Sequence, residues 1–342
     1  MPTSRFDDIN WSYLLSYVGG RRGCEVLAII VVSEIMDRAG LDRLRQAAEV
    51  RYDPKAWESA DILSEQIVAA DALVVRNQTR VTASLIQRAA ALKVVGRLGV
   101  GLDNIDLDAV RARHIPLVVA RGANATAVAE YVLTCLLHFT RDLTGVGETV
   151  RQGRWDRTLG GKELHGKVLG LLGLGDIAQR VAWRAKSFGM TILAYDPWQL
   201  PTQLAVADLG VTLTTLPQLL ATADFVSVHL PLTETTRHLL NRQTLAQMKT
   251  GSYLINTARG GVIDETALLA SIETEKIAGA ALDVREMEPP SPSDPLCHHP
   301  RILLTPHIAG LSSEANVRTA EMVADDVLRV LRGQAPLASV CG

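Results

Sequence analysis

The stretch Lys167-Val168-Leu169-Gly170-Leu171-Leu172-Gly173-Leu174-Gly175-Asp176-Ile177-Ala178 decides the fold of this chain. An aliphatic run passes into a glycine-rich turn and then into Ile177–Phe188, where Ala178, Val181, Ala182 and Ala185 recur at helical spacing. Strand, glycine turn and helix in this order make up a dinucleotide-binding fingerprint. Gly173 permits the tight turn, Gly175 lets backbone approach a pyrophosphate, and Ala178 allows close helix–sheet packing. The opening of the helix adds free amides and partial positive charge. A lone fingerprint is weak evidence, but here the next strand, Thr191–Tyr195, runs into Asp196-Pro197. A carboxylate at that point accepts hydrogen bonds from ribose hydroxyls and repels a 2′-phosphate, which predicts NAD as cofactor. The competing reading of Asp196 is a turn cap before Pro197.

Outward from this unit, Phe225–His229, Tyr253–Asn256, Ala278–Asp283 and Ile302–Thr305 bring the strand candidates to six, separated by helical stretches. That pattern predicts a Rossmann-type doubly wound parallel sheet. Toward the N-terminus, Val26–Val32, Val50–Tyr52, Ala72–Val75, Lys93–Val95 and Leu117–Val119 alternate with helical patterns at Met36–Ala48, Ser64–Ala70 and Ala83–Ala91. They predict a smaller, flavodoxin-like α/β unit. Thr126–Thr140 is apolar almost all round, as befits a buried helix at a junction between domains or in an ordinary core. Ser313–Leu331 has room to return to the first unit. The expected organisation is an N-terminal extension (1–24), a discontinuous substrate domain (25–122 and 307–342) and a nucleotide-binding domain (123–306).

Composition narrows the function. The 342 residues are 47% hydrophobic and 21% charged, with a formal net charge of −2. These values fit a globular protein of two domains and, with no basic stripe, count against a nucleic-acid partner. No apolar run is long enough to span a membrane. Asp7 and Asp8 stand where a signal peptide would be positive. The four cysteines show no paired spacing, so neither a disulfide framework nor a metal site is expected and a reducing, cytoplasmic setting is the simpler reading. His298 and His299 sit in a polar loop and read as solvated side chains.

Reducing a 2-keto acid takes a cation for the carboxylate, a proton donor for the ketone oxygen and a group that stabilises the charged donor. Arginine, histidine and a carboxylate suit these roles. Arg259, Glu288 and His307 follow three successive strands of the second unit, in Asn256-Thr257-Ala258-Arg259-Gly260-Gly261, Asp283-Val284-Arg285-Glu286-Met287-Glu288-Pro289 and Thr305-Pro306-His307. Ligands bind at the carboxyl ends of parallel strands, so these distant residues are expected to converge. Taken alone, Arg259 also reads as a surface ion-pair former and Glu288 as a loop charge.

From Val26 to Gln334 the chain resembles the D-2-hydroxyacid dehydrogenase family, in its glycine fingerprint, His229-Leu230-Pro231-Leu232-Thr233, the Asn-Thr-Ala-Arg-Gly-Gly segment, Ala281-Leu282-Asp283-Val284 and the Thr-Pro-His segment. The resemblance implies that Arg259, Glu288 and His307 are the catalytic arginine, glutamate and histidine. It favours Glu288 over Glu286, because the family's glutamate directly precedes proline. It implies that Val100, Asp176, Ile177, Asp196, Leu230, Pro231, Thr257, Ala258 and Asp283 line the NAD pocket with the glycine turn, Asp283 near the nicotinamide amide. His229 reads as a structural contact beside the cofactor. Arg97–Asn104 resembles the family's substrate loop, whose backbone amides at Gly99, Val100 and Gly101 would meet the substrate carboxylate. Arg76, ending a strand of the first unit, suggests a substrate with a second anionic group such as phosphate or sulfonate; otherwise it pairs with a carboxylate at the domain interface. The expected function is hydride transfer between NAD and C2 of a small acidic D-2-hydroxy acid (phosphoglycerate-, sulfolactate- or hydroxypyruvate-like) in a homodimer. The alternative is an NAD-sensing corepressor-like scaffold of the same fold.

Overall fold

The computed structural model describes residues 27–200 and 204–340; the N-terminal extension and the predicted strand start at Val26 lie outside them. Two parallel sheets organise the chain. The first consists of β1 (Ile29–Val32), β2 (Glu49–Tyr52), β3 (Ala72–Val75), β4 (Val94–Arg97) and β5 (Leu117–Val119), in the order β2-β1-β3-β4-β5. That order is the flavodoxin-like one. β3 and β5 are buried along their whole length, as expected of strands covered on both faces.

The second sheet holds β6 (Val168–Leu172), β7 (Thr191–Tyr195), β8 (Thr212–Leu213), β9 (Phe225–Val228), β10 (Ser252–Asn256), β11 (Ile277–Leu282) and β12 (Ile302–Leu304), in the order β12-β11-β10-β9-β6-β7-β8. It has seven strands where the sequence suggests six. β8 is two residues long and pairs only with β7, too short to show any periodicity. The order reverses between β6 and β9, and the crevice at such a reversal is where nucleotides bind.

Apolar side chains pack on both faces of each sheet. Helix Ala125–Arg141 packs against helix Asp176–Ser187, with Val132 and Leu136 fully buried in the second sheet's core. It is not apolar all round in its setting: Glu130, Thr134, Leu137 and Arg141 form an exposed stripe at helical spacing. Helix Ser313–Leu331 lies on helix Arg38–Arg45 and on β4, placing Ala320, Val323, Ala324 and Val327 in the first sheet's core. Ser312 caps it through the Ala315 amide (3.1 Å). The chain therefore crosses between the sheets near residues 120–125 and 305–312. Because all strand pairs are parallel, the loops after β6, β7, β9, β10, β11 and β12 share one edge.

Candidate active site

Three of those edge loops carry the Arg259, Glu288 and His307 side chains into one cleft of about 660 Å³. His307 Nδ1 lies 2.8 Å from Glu288 Oε2, with both side chains partly exposed. The other Glu288 oxygen accepts the Arg285 amide at 3.0 Å. Burial pushes the Glu288 carboxyl up, but His307, the Arg285 amide and the charge of Arg259 outweigh it and hold it below its ordinary value. With the folded value below the unfolded one, the stabilisation is present at neutral pH. It is lost as the pH falls through that lowered value.

His307 has φ +57°, a conformation sparsely used by non-glycine residues. Asp283 holds it there. The buried Asp283 carboxylate accepts Thr305 Oγ1 (2.6 Å) and the Ile308 and Ala309 amides (2.8 and 2.9 Å), while its carbonyl accepts the His307 amide (2.8 Å). Tyr131 joins the network by donating to Thr305 Oγ1 at 2.5 Å.

Arg259 reaches across to the first sheet. Its Nε donates to Asp103 (2.8 Å) and Nη1 to the Ala258 carbonyl (2.6 Å). One N–H on Nη1 and both on Nη2 have no partner among the described residues, which leaves an end-on fork of the kind that binds carboxylate. Nη2 lies beneath Gly101, where a Cβ would come within 1.9 Å of it; glycine is required for this approach. The neighbouring Val100 and Gly101 amides likewise have no partner among the described residues.

The cleft gathers five arginines (Arg80, Arg97, Arg237, Arg259 and Arg285) with four carboxylates (Asp103, Asp106, Glu286 and Glu288). Arg285, at its edge, is neutralised by Glu265 and Asp294. Arg80, Arg97 and Arg237 also line it and have no acidic partner within ion-pair distance among the described residues. Arg97 Nε is buried without a hydrogen-bond partner. Burial, followed by the charge of Arg259 and then Arg76, pushes Arg97 down to about 10, with Glu34 and Asp103 acting the other way. It remains charged at neutral pH, and a bound anion would relieve both its desolvation and the cation–cation repulsion.

The dinucleotide end lies on the same edge. Gly173 has φ +89°, and a Cβ there would come within 2.8 Å of the His229 carbonyl, so only glycine fits between β6 and β9. Gly175 faces open space at the start of helix Asp176–Ser187, leaving room for a pyrophosphate beside the Asp176 and Ile177 amides. Ala178 is fully buried against the sheet. Thr257 Oγ1 is buried without a partner, and Leu230, Pro231 and Ala258 lie on neighbouring loops of this edge. Desolvation pushes His229, bonded to Ser227 (2.9 Å), down to about 4, which keeps it neutral beside the crevice. Asp196 accepts the Leu174 and Trp198 amides (2.8 and 2.9 Å) and keeps lone pairs for a ribose. These features fit NAD.

Arg76 is not among the cleft-lining residues: its guanidinium donates to Asn316 (3.0 Å). Arg97 occupies the position that sequence reasoning gave to Arg76; a charged residue at the carboxyl end of β4 was the available signal. Asp103 lay within the segment that resembles the substrate loop without being singled out, and Arg80 and Arg237 carried no signal. His298 and His299 contact only nearby backbone, and no three metal-ligating side chains gather among the described residues.

Residues 133–309 match the model of the D-isomer specific 2-hydroxyacid dehydrogenase, NAD binding domain. The chain belongs to the D-isomer specific 2-hydroxyacid dehydrogenase family. It is an oxidoreductase acting on CH–OH donors, and its cofactor is NAD. This dehydrogenase is 43% identical over 303 residues to the (S)-sulfolactate dehydrogenase of Chromohalobacter salexigens, covering 88% of this chain and 98% of that one. It is 38% identical to the D-3-phosphoglycerate dehydrogenase of Bacillus subtilis over 91% of this chain, yet spans only 58% of that enzyme's length. The structure of D-lactate dehydrogenase from Aquifex aeolicus, complexed with NAD and lactic acid, matches with a TM-score of 0.81 at 26% identity, covering 92% of this chain and 99% of that one. These relatives lend the scaffold reading no support. Among the described residues no helix is long and apolar enough to cross a membrane.

Proposed function

We propose that this dehydrogenase interconverts a 2-keto acid and a D-2-hydroxy acid that carries a second anionic group, phosphate or sulfonate, at C3. The observation that carries the reading is the Arg259 fork beside the Glu288–His307 pair, in a cleft with three further guanidinium groups that lack acidic partners. The glycine turn and Asp196 would hold NADH, which would supply the hydride for C2. The free edge of Arg259 binds the C1 carboxylate together with the Val100 and Gly101 amides, and orients the C2 carbonyl. His307 donates its proton to the carbonyl oxygen, and Glu288 stabilises the charged imidazole. Arg97 is the residue we assign to the second anion, with Arg76 behind it. We take the chain to divide at 122/123 and 306/307, with Arg97 and Gly101 from the first unit facing Arg259 from the second. A cytoplasmic homodimer is the assembly we infer, with residues 145–164 projecting toward the partner.

The test is a panel of pyruvate, hydroxypyruvate, glyoxylate, phosphohydroxypyruvate and sulfopyruvate with NADH. A dianionic acid is expected to exceed pyruvate in kcat/KM by tenfold or more, since a hydrogen bond to a charged group contributes roughly 1.5–3 kcal/mol. Equal rates on pyruvate and the dianionic acids would refute the second anion. The Asp196 assignment has its own measurement. Asp196→Ala is expected to erode the NAD-over-NADP preference by about tenfold, the scale of one lost charge-assisted contact; an unchanged preference would reduce Asp196 to its turn.

A further inference from the structure

Glu34 lies behind the cleft wall, 3% exposed, directly after β1. Its carboxylate accepts four backbone N–H groups from consecutive residues after β3. Oε1 takes the amides of Arg76 (2.7 Å) and Thr79 (2.9 Å), and Oε2 those of Asn77 (3.2 Å) and Gln78 (3.0 Å). Successive amides converging on one point form an anion-binding nest. Here the chain fills the nest with its own carboxylate. Ser33 Oγ meets Thr79 Oγ1 at 2.8 Å, and from the opposite side Asn104 Nδ2 donates to the Arg76 and Thr79 carbonyls (3.2 and 2.7 Å). The 76–79 loop is thereby clamped on both sides.

This loop matters because of what it faces. Asn77 and Arg80 line the cleft with Arg97 and Arg259. Behind these arginines lies the buried carboxylate of Glu34, whose charge favours the charged forms of Arg76 and Arg97. We infer that Glu34 is a positioning residue for substrate specificity, holding the 76–80 loop and its neighbouring guanidinium groups in the arrangement that receives the substrate's second anion. Glu34 does not touch the substrate; it acts through the loop amides. The inference rests on the substrate reading above.

The experiment measures kcat and KM for sulfopyruvate and for pyruvate with NADH in the wild type, Glu34→Gln and Glu34→Ala. A merely structural loss lowers both substrates alike. Glu34→Gln keeps the volume but turns an amide N–H toward converging N–H groups. It is expected to lower the sulfopyruvate-to-pyruvate ratio of kcat/KM about tenfold, through KM for sulfopyruvate, with kcat and KM for NADH changing little. Glu34→Ala removes the equivalent of one acetate. Added acetate, compared with chloride at equal ionic strength, is expected to refill the nest, restore part of the ratio and raise Tm, which keeps the test decisive if this variant folds poorly. A ratio unchanged in Glu34→Gln, or acetate that neither restores the ratio nor raises Tm in Glu34→Ala, overturns the role of Glu34 alone. A wild type that prefers neither sulfopyruvate nor phosphohydroxypyruvate over pyruvate overturns the substrate reading and the role of Glu34 with it.

Discussion

Replacing His307 by alanine is expected to lower kcat for keto-acid reduction by about 10²- to 10⁴-fold, the usual contribution of a positioned general acid. Affinity for NADH should stay near that of the wild type, because the glycine turn and Asp196 lie on other loops of the edge. Glu288→Gln tests the same pair from its other side. Glutamine can still accept a hydrogen bond from Nδ1, but it cannot offset the imidazolium charge, so kcat should fall with a smaller change in KM. The pair is 2.8 Å apart and rests on a histidine that the Asp283 network holds at positive φ. His307→Ala with near wild-type turnover would remove proton donation from this residue.

Arg259→Ala should produce a loss of comparable size in kcat/KM. Two charge-assisted hydrogen bonds contribute roughly 3–6 kcal/mol together, which corresponds to about 10²- to 10⁴-fold. The substitution also leaves the Asp103 carboxylate, now unpaired, in the same cleft, where it repels an anionic substrate. Arg259→Lys keeps the charge and loses the planar fork. It should recover only a small part of the activity, since one ammonium cannot hold Asp103, the Ala258 carbonyl and a carboxylate in the same geometry. Recovery to wild-type kcat/KM in the lysine variant would mean that charge alone suffices at this position.

The strongest signals in the sequence are local. Gly173 requires positive φ and room against the His229 carbonyl, and Ala178 requires a flat contact with the sheet; both demands are met within one strand–turn–helix unit. The order of strands and helices sets the fold class in the same way, through periodicities a few residues long. Elements with no period to read were missed or shifted. β8 has two residues. The helix expected at Ser64–Ala70 runs instead from Ala60 to Gln66, where Ser59 caps it through the Ile62 amide, and continues as a 3₁₀ turn.

The site divides along the same line. Arg259, Glu288 and His307 each follow a strand of one parallel sheet, so their convergence at its carboxyl edge follows from strand order. The direction in which Arg76 and Arg97 point does not. Arg76 turns to Asn316, 240 positions away, and Arg97 is left with an unpaired buried Nε among other cations. Glu34 reads in the sequence as one acidic residue among many, and its four amide partners lie 42 to 45 positions further on. By itself the sequence determined the two α/β sheets, the nucleotide edge and the three side chains proposed to react, because each is encoded in short-range pattern or motif order. Only the tertiary structure decided which charges remain unneutralised in the cleft and which are spent on the protein's own groups, because that balance is set by partners brought together from distant parts of the chain.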